Sequence, residues 1–199
     1  MLKEHLSITA ESNTLDYLGK AYFFIRKIEK GDEYVWKWAT IALHGSLYGF
    51  AICACRGSSN LQVTYRTKNG KEQLIRFDDV IKQCQNESLM RQYCGVSEVL
   101  VLTETQKKSI NFMTKELRNN FEHYIPMCWG IVLDGLPEVF IDVLDVIYFL
   151  GLKTGNCIHL EQADKEKIEL YIQESKQILT NFSTQMAVAD NKRLQNAGG

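Results

Sequence analysis

Leu117-Arg118-Asn119-Asn120-Phe121-Glu122-His123-Tyr124 closes a segment in which Ile110, Met113, Leu117, Phe121 and Tyr124 recur every three or four residues. That spacing lays one apolar stripe along a helix. Pro126, which has no amide hydrogen to continue the ladder, ends it. At about 100° per residue, a wheel centred on the stripe sets Arg118 on one flank, His123 on the other and Asn119 almost opposite. Arg118, Asn119, Glu122 and His123 are therefore expected to share a face turned away from the subunit's own core. One account of that face is a solvated surface in which Arg118 and Glu122 form an i,i+4 ion pair worth roughly 0.2–0.5 kcal/mol. The other account is chemical. Arg118 can hold a phosphate through two hydrogen bonds, Asn119 can orient a neighbour, and His123 can move a proton near neutral pH. These are the parts that RNA cleavage without a metal requires. With a single histidine on the face, acid and base are not both supplied by one chain, whereas two copies would supply them.

Arg118-Asn119-x-x-x-His123, placed at the end of a long amphipathic helix late in a helical chain, resembles the signature of the HEPN superfamily, small all-helical domains found in many prokaryotic toxins, abortive-infection proteins and RNA-processing enzymes. Trp38-Ala39-Thr40-Ile41-Ala42-Leu43-His44-Gly45-Ser46-Leu47-Tyr48-Gly49-Phe50 is similar to the early helix of a bacterial HEPN-like group, so the resemblance spans roughly residues 15 to 155. It implies an all-α HEPN-like bundle of four to six helices and a homodimer whose paired motif helices form a metal-independent endoribonuclease site. In that site His123 is the general acid or base, Arg118 binds phosphate and stabilises the transition state, Asn119 orients the site, and Glu122 supports Arg118. RNA is the implied substrate, with no cofactor. A toxin or phage-defence effector with an antitoxin or other protein partner fits the resemblance. The alternative is a HEPN-like module that binds RNA, nucleotide or protein without cutting. In the subgroup silenced by nucleotidylation a tyrosine stands two places after the histidine. Here Tyr124 follows at once and Ile125 takes the later place, which argues against that form of control.

Composition sets the outer limits. A chain of 199 residues, 45% of them hydrophobic and only two of them proline, can bury one sizeable core among long helices. With 23 basic and 24 acidic residues there is no bulk positive field, so RNA affinity must come from local patches. Cys53, Cys55, Cys84, Cys94, Cys128 and Cys157 include no C-x-x-C pair and read as reduced, small hydrophobes within apolar stretches. The N-terminal residues include Lys3, Glu4 and His5 but no long apolar run, so a cytoplasmic protein with no membrane association is expected.

Taken in order, residues 1–12 read as a flexible arm, 13–182 as a single helical domain with a hairpin insertion at about 61–77, and 183–199 as a disordered tail. A first helix over about 13–30 ends at Gly31. The second, from about Glu33 to Cys55, has no charged residue after Lys37 and is long enough to cross a bilayer. Thr40, His44, Gly45, Ser46 and Gly49, together with the lack of flanking anchors, argue instead for burial in a core and a subunit interface. Its small residues would let another helix approach closely. His44 reads as a hydrogen-bonded core or interface histidine in preference to a catalytic one. Alternation around Asn69-Gly70 predicts a hairpin with a type I′ turn. Arg66, Lys68, Lys71 and Arg76 make it the most basic compact unit, a solvated edge or, with Tyr65 to stack on a base, an RNA clamp. Residues 78–94 read as one or two short helices, and Thr103-Glu104-Thr105-Gln106 as the cap of the motif helix. Asp134, Glu138, Asp142 and Asp145 share one face of a helix begun by Pro137. They are too spread to surround one ion and read as a solvated acidic face, with docking of a basic partner second. His159 falls in a loop, before a last helix over roughly 162–182.

Overall fold

The computed structural model describes residues 5–32, 34–57, 59–92, 94–123, 126 and 128–197. Tyr93, Tyr124 and Ile125, on which the sequence reading drew, lie outside the described residues, as does Glu33 at the expected start of the second helix. Among the described residues the fold is all-α apart from one two-stranded antiparallel sheet.

Helix α2 (Val35–Arg56) organises the chain. It is long and apolar enough to cross a membrane, yet most of its apolar length is buried within this fold. α1 (Ala10–Ile25) packs along it, and α3 (Phe77–Cys84) and α7 (Leu136–Tyr148) cover other faces. The α1–α2 approach depends on glycine. A Cβ at Gly45 would stand 2.6 Å from the Tyr17 ring, and one at Gly49 would stand 2.0 Å from Thr14 Oγ1. For these two glycines the close neighbour is thus a helix of the same chain. α1 begins at Ala10, three residues before the expected start, because Thr9 and Ser12 form a reciprocal capping box there.

A short hairpin follows α2. β1 (Thr64–Arg66) pairs with β2 (Glu72–Leu74) in the register Thr64–Leu74, Tyr65–Gln73, Arg66–Glu72. The expected type I′ turn needs left-handed backbone at both Asn69 and Gly70. Only glycines have positive φ among the described residues, Gly70 at 75°. The Gly70 amide donates to the Thr67 carbonyl and the Thr67 amide to that of Lys71, so the loop is a turn closed by a left-handed glycine, one residue longer than a I′ hairpin. Tyr48 of α2 donates its hydroxyl to the Ile75 carbonyl, leaning the hairpin on the helical body.

After α3 and the short α4 (Glu87–Met90), the motif helix starts as α5 (Glu104–Asn111), widens into a π-helical turn over Phe112–Arg118 and finishes as α6 (Asn119–Glu122). Thr103 caps it as the sequence suggests: its Oγ1 accepts from the Gln106 amide, and the Gln106 side chain accepts from the Thr103 amide, both at 3.1 Å. Pro137 sits in the first turn of α7, which runs on through a second π-helical stretch, Phe149–Lys153. Helix α8 (Gln162–Ala197) continues past the expected end near residue 182. Phe182 packs on Trp36, which also meets Phe140, at ring separations of 5.6 and 5.4 Å. Ser183 donates to Glu138, so anchoring contacts persist beyond that point.

Candidate functional site

The motif helix does not present its polar residues as one outward face. Ile110, Met113 and Leu117 are buried as expected, but Thr114 is buried as well. Arg118, partly buried, and Glu122, exposed, both border a groove formed with other elements of the same chain. The helix also carries a π-helical turn over Phe112–Arg118. Its hydrogen bonds reach one residue further than those of an α-helix, so each residue advances the wheel by less. Everything after Phe112 is rotated relative to a straight α-helix.

Arg118 and Glu122 line a groove of about 510 Å³ whose other walls are α1, α2 and the hairpin. Within it Arg118 is ion-paired to Glu122, and its guanidinium donates to Asn119 Oδ1 at 3.1 Å. Both side chains of the pair are about 30% exposed, at 30% and 31%, so water and ligand reach them. Tyr17, Tyr48, Arg56 and His44 line the same groove. Arg56 is already held by Glu11 at 2.6 Å, which leaves the groove close to electrically balanced. His123 caps the end of α6 and is exposed, outside the residues that line the groove. One chain therefore brings Arg118, Asn119 and Glu122 together and leaves His123 apart.

His44 is the residue whose place the sequence did not disclose. It is half-buried on α2, its ring 4.9 Å from that of Phe77 and 6.4 Å from that of Tyr48. Burial, and then the nearby Arg118 guanidinium, lower its pKa to about 4, so it is a neutral imidazole at physiological pH. No hydrogen-bond partner holds it among the described residues, contrary to the expectation of a satisfied core histidine. The glycine at the next position was the available signal, since it marks a helix face that another element approaches closely.

The hairpin places Thr64 and Leu74 in the groove wall. Tyr65, Arg66, Lys68, Lys71 and Arg76 are exposed, and none of those four basic side chains has an acidic partner among the described residues. The Tyr65 hydroxyl donates to Gln73 Oε1 at 2.9 Å while its ring remains 45% exposed. Lys115 and Lys107, by contrast, are paired to Asp78 and Glu104. On the other side of α6, Asn120 and Phe121 border a separate cavity of about 680 Å³, lined also by Tyr34, Trp36, Trp129 and Phe182.

The acidic face of α7 is largely engaged within the fold. Asp142 accepts from Ser109 at 2.6 Å, Asp145 pairs with Lys176 at 2.5 Å, and Glu138 accepts from Ser183. A free docking surface for a basic partner is not what this arrangement offers. Among the described residues no three His, Cys, Asp or Glu side chains are grouped to hold a metal ion. Cys53, Cys55, Cys84 and Cys157 are buried, whereas Cys128 is exposed, outside the apolar setting expected of it. No family model matches this chain, and neither the curated proteins nor the solved structures include a match to it.

Proposed function

We propose that the chain is a HEPN-type, metal-independent endoribonuclease that acts as a homodimer, in the setting of a cytoplasmic toxin or defence effector with RNA as substrate. The observation that carries this reading is the groove: Arg118 and Glu122 line it, Asn119 accepts from Arg118, and the hairpin that contributes Thr64 and Leu74 to its wall carries Arg66, Lys68, Lys71 and Arg76, all exposed and without an acidic partner among the described residues. A half-buried guanidinium in such a place can hold a phosphate by two hydrogen bonds and stabilise the charge of a phosphorane. Arg66, Lys68, Lys71 and Arg76 supply the local positive field that the net charge of −1 does not. In this mechanism the 2′-oxygen attacks phosphorus and the bond to the 5′-oxygen breaks. His123, exposed at the helix end, gives the leaving oxygen its proton. A second copy of the chain, bringing its own motif helix, would place His123 across from Arg118.

A second reading, a nucleotide- or RNA-binding module without cleavage, draws on the cavity beside Asn120. Tyr34, Trp36, Phe121, Trp129 and Phe182 offer aromatic faces of the kind on which bases stack. The test is cleavage of a mixed-sequence RNA by the purified protein in EDTA, beside Arg118→Ala and His123→Ala. The ribonuclease reading expects cutting by the wild type and its loss in both variants. Binding of RNA with no cutting across several substrates would transfer the conclusion to the second reading.

A further inference from the structure

We infer that His44 is the second acid–base group of this site, placed to take the proton from the attacking 2′-hydroxyl while Arg118 holds the phosphate. The inference rests on the ribonuclease reading and deepens it, because it removes the need to draw both histidines from equivalent motif helices.

Three observations converge. The imidazole lines the same groove as Arg118 and Glu122 and feels the charge of Arg118, so a phosphodiester held by Arg118 would share the space that His44 borders. The ring is set against Phe77 and flanked by Tyr48, which fixes its plane without consuming its nitrogens. An imidazole with no partner among the described residues, bordering an open groove, has a nitrogen lone pair available to a ligand. A histidine serving only as core filling would be expected to spend that nitrogen on the protein.

The surrounding charges favour the role of base. Arg118 and Glu122 face the groove from the motif helix, Tyr17 from α1, and Tyr48 and Arg56 from α2, while α3 contributes the uncharged Phe77 and the hairpin the uncharged Thr64 and Leu74. Burial and Arg118 keep the imidazole neutral and ready to accept. A bound phosphodiester neutralises Arg118, removing one cause of the lowered pKa and making His44 a stronger base when substrate is present. In the balanced step, the 2′-hydroxyl proton passes to His44, the 2′-oxygen–phosphorus bond forms, the bond from phosphorus to the 5′-oxygen breaks, and that oxygen takes a proton from His123 of the partner subunit. Solvent then returns each histidine to its starting state.

The experiment compares single-turnover cleavage of a mixed-sequence RNA in EDTA by the wild type, His44→Ala, His44→Gln, Arg118→Ala and His123→Ala. Binding of an all-2′-deoxy oligonucleotide is measured for each. The expected result is a loss of about 100-fold or more in cleavage for both His44 variants, with binding of the deoxy oligonucleotide within about two-fold of the wild type and the lower limb of the pH–rate profile altered. His44 variants that cut at the wild-type rate, while Arg118→Ala and His123→Ala are inactive, would overturn the role of His44 and leave the ribonuclease standing. A wild type that never cuts overturns both. A further measurement needs no variant: the His44 ring proton resonances should move when the deoxy oligonucleotide is added to the wild-type protein, and their failure to move at saturating oligonucleotide counts against His44.

Discussion

Replacing Gly49 with alanine tests whether the α1–α2 seam is as tight as the structure makes it. A Cβ there lies 2.0 Å from Thr14 Oγ1 and 2.9 Å from Thr14 Cβ, where about 3.5–4.0 Å is comfortable. Thr14 is 1% exposed, and its Cβ cannot swing aside without moving α1. Overpacking of this kind costs about 1–3 kcal/mol, and a clash with an atom next to the backbone belongs in the upper half of that range. Alanine returns about 0.8–1.0 kcal/mol as the better helix former, which leaves a net loss of about 1–2 kcal/mol. In a chain of this size each kcal/mol moves Tm by about 2–4 °C, so thermal unfolding followed by circular dichroism should show a fall of about 2–8 °C. Gly19→Ala is the control. Its new methyl would meet only Tyr171 Cε2, at an ordinary 3.6 Å, so Tm should rise by about 2–4 °C. Adding Thr14→Ala to Gly49→Ala removes the nearer of the two clashing atoms and should recover part of the loss. Shifts of the same sign for Gly49→Ala and Gly19→Ala would refute the reasoning, because the two substitutions share their helix propensity and differ in what the methyl meets.

The remaining predictions concern the groove and its supports. His44 has a pKa of about 4 in the folded chain against 6.5 as its ordinary value, so between those limits the unfolded chain binds more protons. Its contribution is present above pH 6.5 and lost as pH falls toward 4, about 3 kcal/mol in full. Urea unfolding from pH 7 to 4.5 should therefore show a smaller decline in His44→Gln than in the wild type. Phe140 is fully buried against Trp36. Its replacement by alanine should cost about 3–5 kcal/mol, read as a lower urea midpoint. The Asp145–Lys176 pair is 41% and 37% exposed and screened by solvent, so Asp145→Asn should lower stability by no more than about 1 kcal/mol, with a smaller effect still at high salt.

Much of the fold could be read from the sequence because it is written locally. Thr103 and Gln106 are spaced for a capping box and form one. Pro137 stands where a helix tolerates it, and the apolar run of α2 is buried on most sides. What could not be read depends on geometry that spacing does not encode. The π-helical turn over Phe112–Arg118 shifts the residues after it relative to a straight α-helix, and the four-residue steps from Met113 to Leu117 to Phe121 are its trace in the sequence. Such steps drift around a straight α-helix but stay closer to one line on a wider turn. The neighbourhood of His44 and Arg118 arises from packing between elements far apart in the chain, so nothing in either local stretch announces it. Gly45 and Gly49 correctly signalled a close helix, but the sequence could not say whether that helix came from the same chain or another.

The central claim is that a 2′-hydroxyl attacks phosphorus beside Arg118. The most direct measurement presents the wild-type protein, in EDTA, with a defined RNA strand and with the same strand bearing 2′-deoxyribose at any position that is cut, and then identifies the product ends. The account predicts 2′,3′-cyclic phosphate ends from the RNA and no cut at the substituted position. No cutting of the RNA, equal cutting of both strands, or products lacking the cyclic phosphate would contradict it.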